Sequence, residues 1–358
     1  MASKHKPEAH RILVMRYRFI GDTILTVPFL RNLRAAYPQA KIDVLVGPVS
    51  GQVLQGCPYV DELISYDTTR FHKYDSGEGQ PRTLWSYAWQ LRAKKYDLVF
   101  VLKRSLSAGF LAFMTGAKER IGYSGDGKFL LTRSVPWRTD IHEVDSLLSV
   151  LEAGGVPILD RELESFPSAA EKEKVLKLEP NLAEQRPRVL IHAAAAHPDK
   201  TYPLPLWAQL IGRLYNELNL LPVFSGDKQD NETYKELARL LNSQFNCPSI
   251  DFSGRLSLRE SMAMYTRMDL AVCVDSGPSH LAAAGGVPTV TLFGPTDPVR
   301  WRPYGQMHRA VYDETLTCRP CHYKKTCQNR ECLTELSSDL IFERCKEVLL
   351  FRKTERGS

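Results

Sequence analysis

No stretch of this 358-residue chain approaches the roughly 18 consecutive apolar residues that a membrane-crossing helix needs. The polar opening MASKHKPEAH has no apolar core of the kind a secretory leader carries, so the chain is expected to stay in the cytoplasm. No Gly-x-Gly-x-x-Gly follows the first apolar strand. RYRFIGD stands there instead, which removes the pyrophosphate cradle of a dinucleotide-dependent oxidoreductase. No short-period repeat is evident. Cysteine is present, at eight residues, but a long cytosolic chain is expected to keep these as thiols or metal ligands, not as disulfides.

What is present is an ordinary globular composition, 43% hydrophobic and 25% charged, at a length that suits two domains. The net charge is +6, and it is unevenly spread: Arg70 to Arg138 holds 13 Lys and Arg against 5 Asp and Glu. Such an excess fits an anionic partner, whether nucleic acid, an anionic membrane surface or a phosphorylated substrate, as well as a plain solvated surface.

Periodicity organises the chain. RILVM at 11–15 reads as a buried parallel strand, and TILTVPFLRNLRAAYP repeats apolar residues at helical spacing until Pro38. KIDVLVG and DLVFVL read as strands, RTLWSYAWQLRAKKY and EVDSLLSVLEAGG as helices, the latter closed by a glycine cap. After a polar segment the scheme restarts. VLIHAAA, LPVFSG, LAVCVDS and TVTLFG are the strands, with PLWAQLIGRLYNEL, NETYKELARLLN and GPSHLAAAGG as helices between them. Strands alternating with helices predict parallel sheets wound on both faces. The expected organisation is therefore two doubly wound domains facing a central cleft, at 1–170 and 189–335, with a linker at 171–188 and a C-terminal helix and tail at 336–358. Ligands of such sheets lie outside the carboxyl ends of the strands.

Two turns attract notice. At VDSGPSH, a strand ends at Asp275 and small residues lead into a helix whose first N–H groups and dipole make a seat for phosphate. An ordinary helix cap by Ser276 or Ser279, with His280 packed on the sheet, explains the same residues. At RFIGD, Asp22 stands where the first strand hands over to a helix, and it too reads either as a cap or as a carboxylate placed for chemistry.

Longer motifs go further. VDSGPSHLAAAGGVPTVTLFGPTDP resembles the nucleotide-binding signature of the bacterial lipopolysaccharide heptosyltransferases, glycosyltransferase family 9. RYRFIGDTILTVPFLRNLRAAYP resembles the N-terminal signature of the same family. KRSLSAGFLAFMTGAKERIGY, HEVDSLLSVLEAGGV and HAAAAHPDKTYPLPLWAQLI are similar to further family segments, in the same order along nearly the whole chain. The resemblance implies two Rossmann-like domains of the GT-B glycosyltransferase architecture, with an N-terminal acceptor domain and a C-terminal nucleotide-sugar domain. It implies an inverting transfer of heptose from ADP-heptose to the inner core of lipopolysaccharide, with no cofactor. The acceptor would be a lipid A–core molecule at the cytoplasmic face of the inner membrane. Another nucleotide sugar or another acceptor is the alternative.

Carried over residue by residue, the resemblance makes Asp22 the catalytic base. Lys200 falls on the donor phosphates, and Asp275, Ser276, Gly277, Ser279 and His280 on the diphosphate and sugar end. An acidic residue holds the donor ribose, at Asp230 with Glu232 as the other candidate. One departure stands out: Ala193 to Ala196 replace the hydroxyl residues that some members carry before the lysine. No Asp-x-Asp occurs, so diphosphate charge is expected to be met by Lys200 and a helix N-terminus without a metal. Lys103, Arg104 and Arg120 are read as lying just after strands, where an anionic acceptor would sit.

CRPCHYKKTCQNREC brings Cys318, Cys321, Cys327 and Cys332 together, but only one pair has zinc-ribbon spacing. Reduced cysteines ordering a loop is the preferred account, with a structural metal as the lesser one. Arg319, Lys324, Lys325 and Arg330 make the segment basic. A nucleic-acid-binding protein using this cluster as a zinc module is a competing class; the resemblance implies no nucleic-acid partner.

Overall fold

The computed structural model describes residues 6–67, 83–183, 186–323, 327 and 329–357, and the chain divides into two compact units, Met1–Phe166 and Pro167–Ser358. The basic residues at 70–82 and the lysines at 324 and 325 therefore lie outside the described residues.

In the first unit the chain runs through β1 (Arg11–Met15), α1 (Ile20–Ile24), α2 (Val27–Ala36), β2 (Lys41–Val46) and β3 (Glu62–Ser65). It continues through α3 (Leu84–Ala93), β4 (Leu98–Val101), α4 (Leu106–Met114), β5 (Glu119–Tyr123), β6 (Arg133–Val135) and α5 (Glu143–Ala153). All six strands are parallel, in the order β3-β2-β1-β4-β5-β6. The central strands are apolar on both faces because helices cover both. On one face Phe29 of α2 meets Phe100 of β4 edge-to-face, with ring centroids 5.2 Å apart.

The second unit opens with α6 (Ala169–Leu178) and β7 (Arg188–His192), followed by α7 (Leu204–Leu218), β8 (Leu221–Phe224), α8 (Asn231–Phe245), β9 (Ile250–Asp251) and α9 (Leu258–Tyr265). Then come β10 (Leu270–Val274), α10 (Gly277–Ala284), β11 (Thr289–Leu292), α11 (Pro298–Trp301), β12 (His308–Val311), α12 (Glu331–Thr334) and α13 (Ser338–Gly357). The sheet order is β12-β11-β10-β7-β8-β9, again parallel, so each unit repeats one plan. These are the two Rossmann-like domains expected from the alternation of strands and helices.

Three departures from the sequence reading have physical causes. The first helix is broken into α1 and α2, because Pro28 lacks an N–H and its ring would meet the carbonyl four residues back, at Ile24. Strands β3, β6, β9 and β12 are short edge elements with little alternation to betray them. The segment 171–188, read as a linker, begins within helix α6, which runs to Leu178, is capped by a reciprocal Ser168–Glu171 box and packs on α9. Arg259 of α9 grips Glu171 with two bonds of 2.8 Å.

Buried polar groups also pin the units together internally. Asn32, 2% exposed, donates to the Pro28 carbonyl at 2.7 Å and the Asp160 carbonyl at 2.6 Å, and accepts from the Leu159 N–H at 2.6 Å. It ties α2 to the segment that follows α5. Asn32→Ala would strand these backbone groups, so urea unfolding is expected to show a loss of about 1–3 kcal/mol. A change below about 0.5 kcal/mol, the level of an ordinary surface substitution, would mean water replaces the amide.

Candidate active site

Doubly wound sheets bind ligands where the strand order reverses. In the first unit that point lies between β1 and β4, which pair through Met15 and Val101. Helix α1, which follows β1, carries Asp22, and the residue two beyond β4 is Lys103. In the second unit the reversal lies between β7 and β10. The loop after β7 carries Lys200, and Asp275 directly follows β10. The parallel chain direction thus brings the main sequence-chosen residues to two corresponding positions.

In the first unit, Arg16 is the hub. Its guanidinium is almost completely buried and donates to Glu143 Oε1 at 2.7 Å and to the Leu102 carbonyl at 3.0 Å. It also stands 3.4 Å from Asp22 Oδ1. Burial opposes its charge, but the carboxylates of Asp22 and Glu143 outweigh that loss, and its pKa is raised. Asp22 keeps 16% of its side chain exposed against 3% for Glu143, so Asp22 alone of the pair can meet a substrate. Asp22 lies in the first turn of α1, whose cap position is Phe19, so Asp22 is not the helix cap. Just before it, Arg18 holds φ at +126°, a conformation that side-chain-bearing residues rarely adopt and that marks local strain.

Lys103 lies over the Tyr17 ring at 5.5 Å, and burial, followed by the charges of Arg16 and others, pushes its pKa down to about 8. Arg104 is exposed and stacks on Trp137 at 3.4 Å. Gly125 is required beside it, because a Cβ there would meet the Arg104 carbonyl at 2.5 Å. Arg120 corrects the sequence reading. It lies near the start of β5, level with Val99 and not after a strand, and its guanidinium donates to the Ala117 carbonyl at 2.5 Å and the Leu130 carbonyl at 2.8 Å. The strand begins two residues earlier than IGY suggested.

In the second unit, Lys200 Nζ is 2.6 Å from Asp275 Oδ2 and 3.1 Å from the Asp275 carbonyl. Thr296, after β11, donates to the same Oδ2 at 2.5 Å. Burial alone would lower the Lys200 pKa; Asp275 and the Tyr323 hydroxyl more than compensate, so the ammonium is stabilised. Ser276 occupies the cap position of α10 in extended conformation, but its hydroxyl donates to the Val274 carbonyl at 3.1 Å. The Ser279 hydroxyl donates to the Ser276 carbonyl at 2.8 Å and is fully buried, and His280 is buried as well. What α10 leaves accessible at its start is the backbone around Ser276 and Gly277. Asp230 accepts from the Asp227 N–H at 2.8 Å, and burial raises its pKa. Glu232 instead reaches solvent, paired with Lys235 at 2.7 Å.

Cys318, Cys321, Cys327 and Cys332 are free thiols that line one cavity of about 420 Å³ together with Asp199, Arg319 and Arg330. Burial pushes the Cys332 thiol up to about 11. Among the described residues no three His, Cys, Asp or Glu side chains are arranged to hold a metal ion. Arg319 donates to the Gly294 carbonyl at 2.6 Å, and Arg330 to the Pro198 carbonyl at 2.7 Å, so both serve the loop that bears the cysteines. Sequence reasoning missed Glu143, Thr296 and Tyr323, because their partners Arg16, Asp275 and Lys200 lie on other elements that only the fold brings beside them.

The family model for glycosyltransferase family 9 (heptosyltransferase) matches residues 84–332. Lipopolysaccharide heptosyltransferase 3 of Escherichia coli is 29% identical over 295 residues, covering 80% of this chain and 84% of that protein. Lipopolysaccharide heptosyltransferase 2 of Salmonella typhimurium is 27% identical, covering 84% and 87%. In fold, the glycosyl transferase family 9 structure from Veillonella parvula superposes with a TM-score of 0.81 at 24% identity over 95% of this chain and 97% of that one. The Escherichia coli ADP-heptose lps heptosyltransferase II gives 0.74 at 23% identity over 96% and 99%. With the family model spanning well over half of its length and the fold the same, this chain belongs to glycosyltransferase family 9 and is a glycosyltransferase.

Proposed function

We propose that this enzyme transfers a heptose from ADP-heptose to the inner core of lipopolysaccharide at the inner face of the cytoplasmic membrane, inverting the anomeric centre and using no metal. The names of its relatives support heptose as the group transferred and lipopolysaccharide as the acceptor, and the name of a structural neighbour supports ADP-heptose as the donor. The observation that carries the chemistry is the partly exposed Asp22 carboxylate at the switch point of the first sheet, held beside buried Arg16.

In this reading the acceptor hydroxyl attacks the anomeric carbon from the face opposite the nucleotide, the bond from that carbon to the diphosphate oxygen breaks, and ADP leaves with the electron pair. The hydroxyl proton passes to Asp22. The hydroxyl becomes acidic only as its bond to carbon forms, so an ordinary carboxylate suffices as the base. Glu143 neutralises Arg16 at close range, which leaves Asp22 oriented without being clamped. Lys200, fixed by Asp275, and the backbone at the start of α10 meet the charge on the departing diphosphate. Lys103 and Arg104 receive the anionic acceptor, and Asp230 the donor ribose.

Incubation with ADP-heptose and truncated lipid cores, with the product identified by mass spectrometry, tests the assignment. Transfer from a UDP-sugar alone, or none at all, overturns it. Asp22→Asn should fold and bind ADP-heptose while turnover drops by roughly 10²–10⁴; a variant within a few-fold of the parent would place the base elsewhere. ADP should bind the parent in EDTA, and Lys200→Ala should weaken that binding by about 1.5–3 kcal/mol in calorimetry. A requirement for magnesium or manganese would sink the metal-free reading.

The lowered pKa of Lys103 sets a pH dependence. The ammonium that would hold the acceptor is lost as pH rises through about 8, so kcat/KM for the acceptor should fall there while that for the donor does not. Lys103→Arg keeps the charge and should flatten the profile; an unchanged profile removes Lys103 from the acceptor site.

A further inference from the structure

Among the described residues, five of the large apolar side chains most open to solvent fall between Trp85 and Phe129: Trp85, Trp89, Leu106, Phe113 and Phe129. Each is at least half exposed, Phe129 at 72%. They are not scattered. Helix α3 buries Tyr87, Ala88 and Leu91 against the sheet and turns Trp85, Trp89 and Arg92 outward, at i, i+4 and i+7 on one stripe. Helix α4 buries Ala108, Leu111 and Ala112 and turns out Leu106 and Phe113, with Phe110 half-buried between them. The two outward stripes join where Trp85 meets Phe110 edge-to-face, ring centroids 5.3 Å apart. The turn that carries Phe129 packs on α4.

The same surface is cationic. Over residues 83–133, five Lys and Arg are exposed against one exposed acid, Asp126. Arg92 continues the tryptophan stripe and donates to the Met114 carbonyl at the end of α4, 3.4 Å away. Lys128 adjoins Phe129, while exposed Lys95 follows α3 and exposed Arg104 and Lys118 flank α4 in the chain. Arg120 lies over the Phe113 ring at 5.6 Å.

A stripe of exposed tryptophan and phenylalanine is costly in water and marks a binding face. A protein partner would be met by apolar surface with charge depleted at its centre. Indole and benzyl side chains interleaved with long cationic ones are the composition of a surface that sits at the headgroup level of a bilayer, rings in the acyl boundary and ammonium or guanidinium groups among the phosphates. Charge complementarity then selects anionic lipid.

We infer that the outer faces of α3 and α4, with the Phe129 turn, form the surface by which this chain docks on an anionic membrane. The docking lies in the plane of the interface, and no helix among the described residues is long and apolar enough to cross a bilayer. Its use in delivering the enzyme to a lipid-borne acceptor rests on the function proposed above; the docking itself does not.

The test is co-sedimentation of the full chain with vesicles of phosphatidylcholine, with and without phosphatidylglycerol. The chain should pellet with the anionic vesicles, less so as salt rises, and its tryptophan emission should shift to the blue. Trp85→Ser combined with Trp89→Ser removes only exposed side chains, so circular dichroism and Tm should hold while the apparent partition coefficient falls about tenfold or more. Failure to pellet, equal binding to both vesicle types, or binding unaffected by the double substitution overturns the inference. So does a dimer in size-exclusion chromatography that the substitutions abolish, which would give this face to a second copy. Transfer to a soluble truncated acceptor should be unchanged in the double variant, and transfer to a vesicle-embedded acceptor reduced. If the parent chain pellets with anionic vesicles but transfers heptose to neither acceptor, that counts against the proposed function and not against the docking surface.

Discussion

Parallel pairing is the constraint on which the rest of this molecule depends. When every strand of a sheet runs the same way, all the carboxyl ends lie on one edge, and every loop that leaves them opens on that edge. The reversal of strand order then splays two neighbouring loops apart and leaves room between them. Here it happens twice, at β1 and β4 in one unit and at β7 and β10 in the other. Asp22 with Lys103, and Lys200 with Asp275, are each separated by dozens of residues in sequence and share one position in the plan of their sheet.

Both positions handle charge in a related way. A cation withdrawn from water is kept ionised by a carboxylate fixed in place by the backbone. Arg16 is held by Glu143 of α5 and by the Leu102 carbonyl, and Lys200 by Asp275, itself steadied by Thr296. Such pairs add little net stability, because desolvation offsets most of the attraction, but they hold the groups in one geometry. In the first unit this leaves a partly exposed carboxylate beside a neutralised guanidinium. In the second it leaves an ammonium beside the start of a helix, where anions are favoured.

The remaining positive charge is on the outside. Among the described cations between Arg70 and Arg138, Lys103 lies partly buried near Arg16 and Arg138 pairs with Asp140, and the rest divide into two groups. Arg120, Arg133 and Lys94 are spent on local carbonyls and carboxylates within the first unit. Arg92, Lys95, Arg104, Lys118 and Lys128 are exposed, on or next in sequence to the elements that carry the aromatic face. A count of charges along the chain cannot separate these, since it is the fold that assigns each side chain to a strand edge or to an outer helix face.

The sequence by itself determined the architecture, because apolar runs of strand length alternating with helices at 3.6-residue spacing admit little besides doubly wound parallel sheets, and capping residues mark where the helices begin. It also drew attention to Asp22 and Asp275, which stand close behind apolar strands, while Lys200 was picked out by the family resemblance of HPDKTYP. It did not reveal α4 as a helix, since LSAGFLAFM is apolar nearly throughout and shows no helical period, nor α6, whose single buried Val175 leaves too faint a stripe to distinguish it from a linker. Only the tertiary structure decided which groups each candidate touches. Glu143 lies 127 residues from Arg16 and Thr296 lies 21 from Asp275, contacts that arise from strand order and not from spacing. The same holds for Arg120, which the chain's pattern put behind a strand and the register of β4 against β5 puts near the strand's beginning. Periodicity reports which face of an element is buried; the partners met at that face are fixed by how the elements pair.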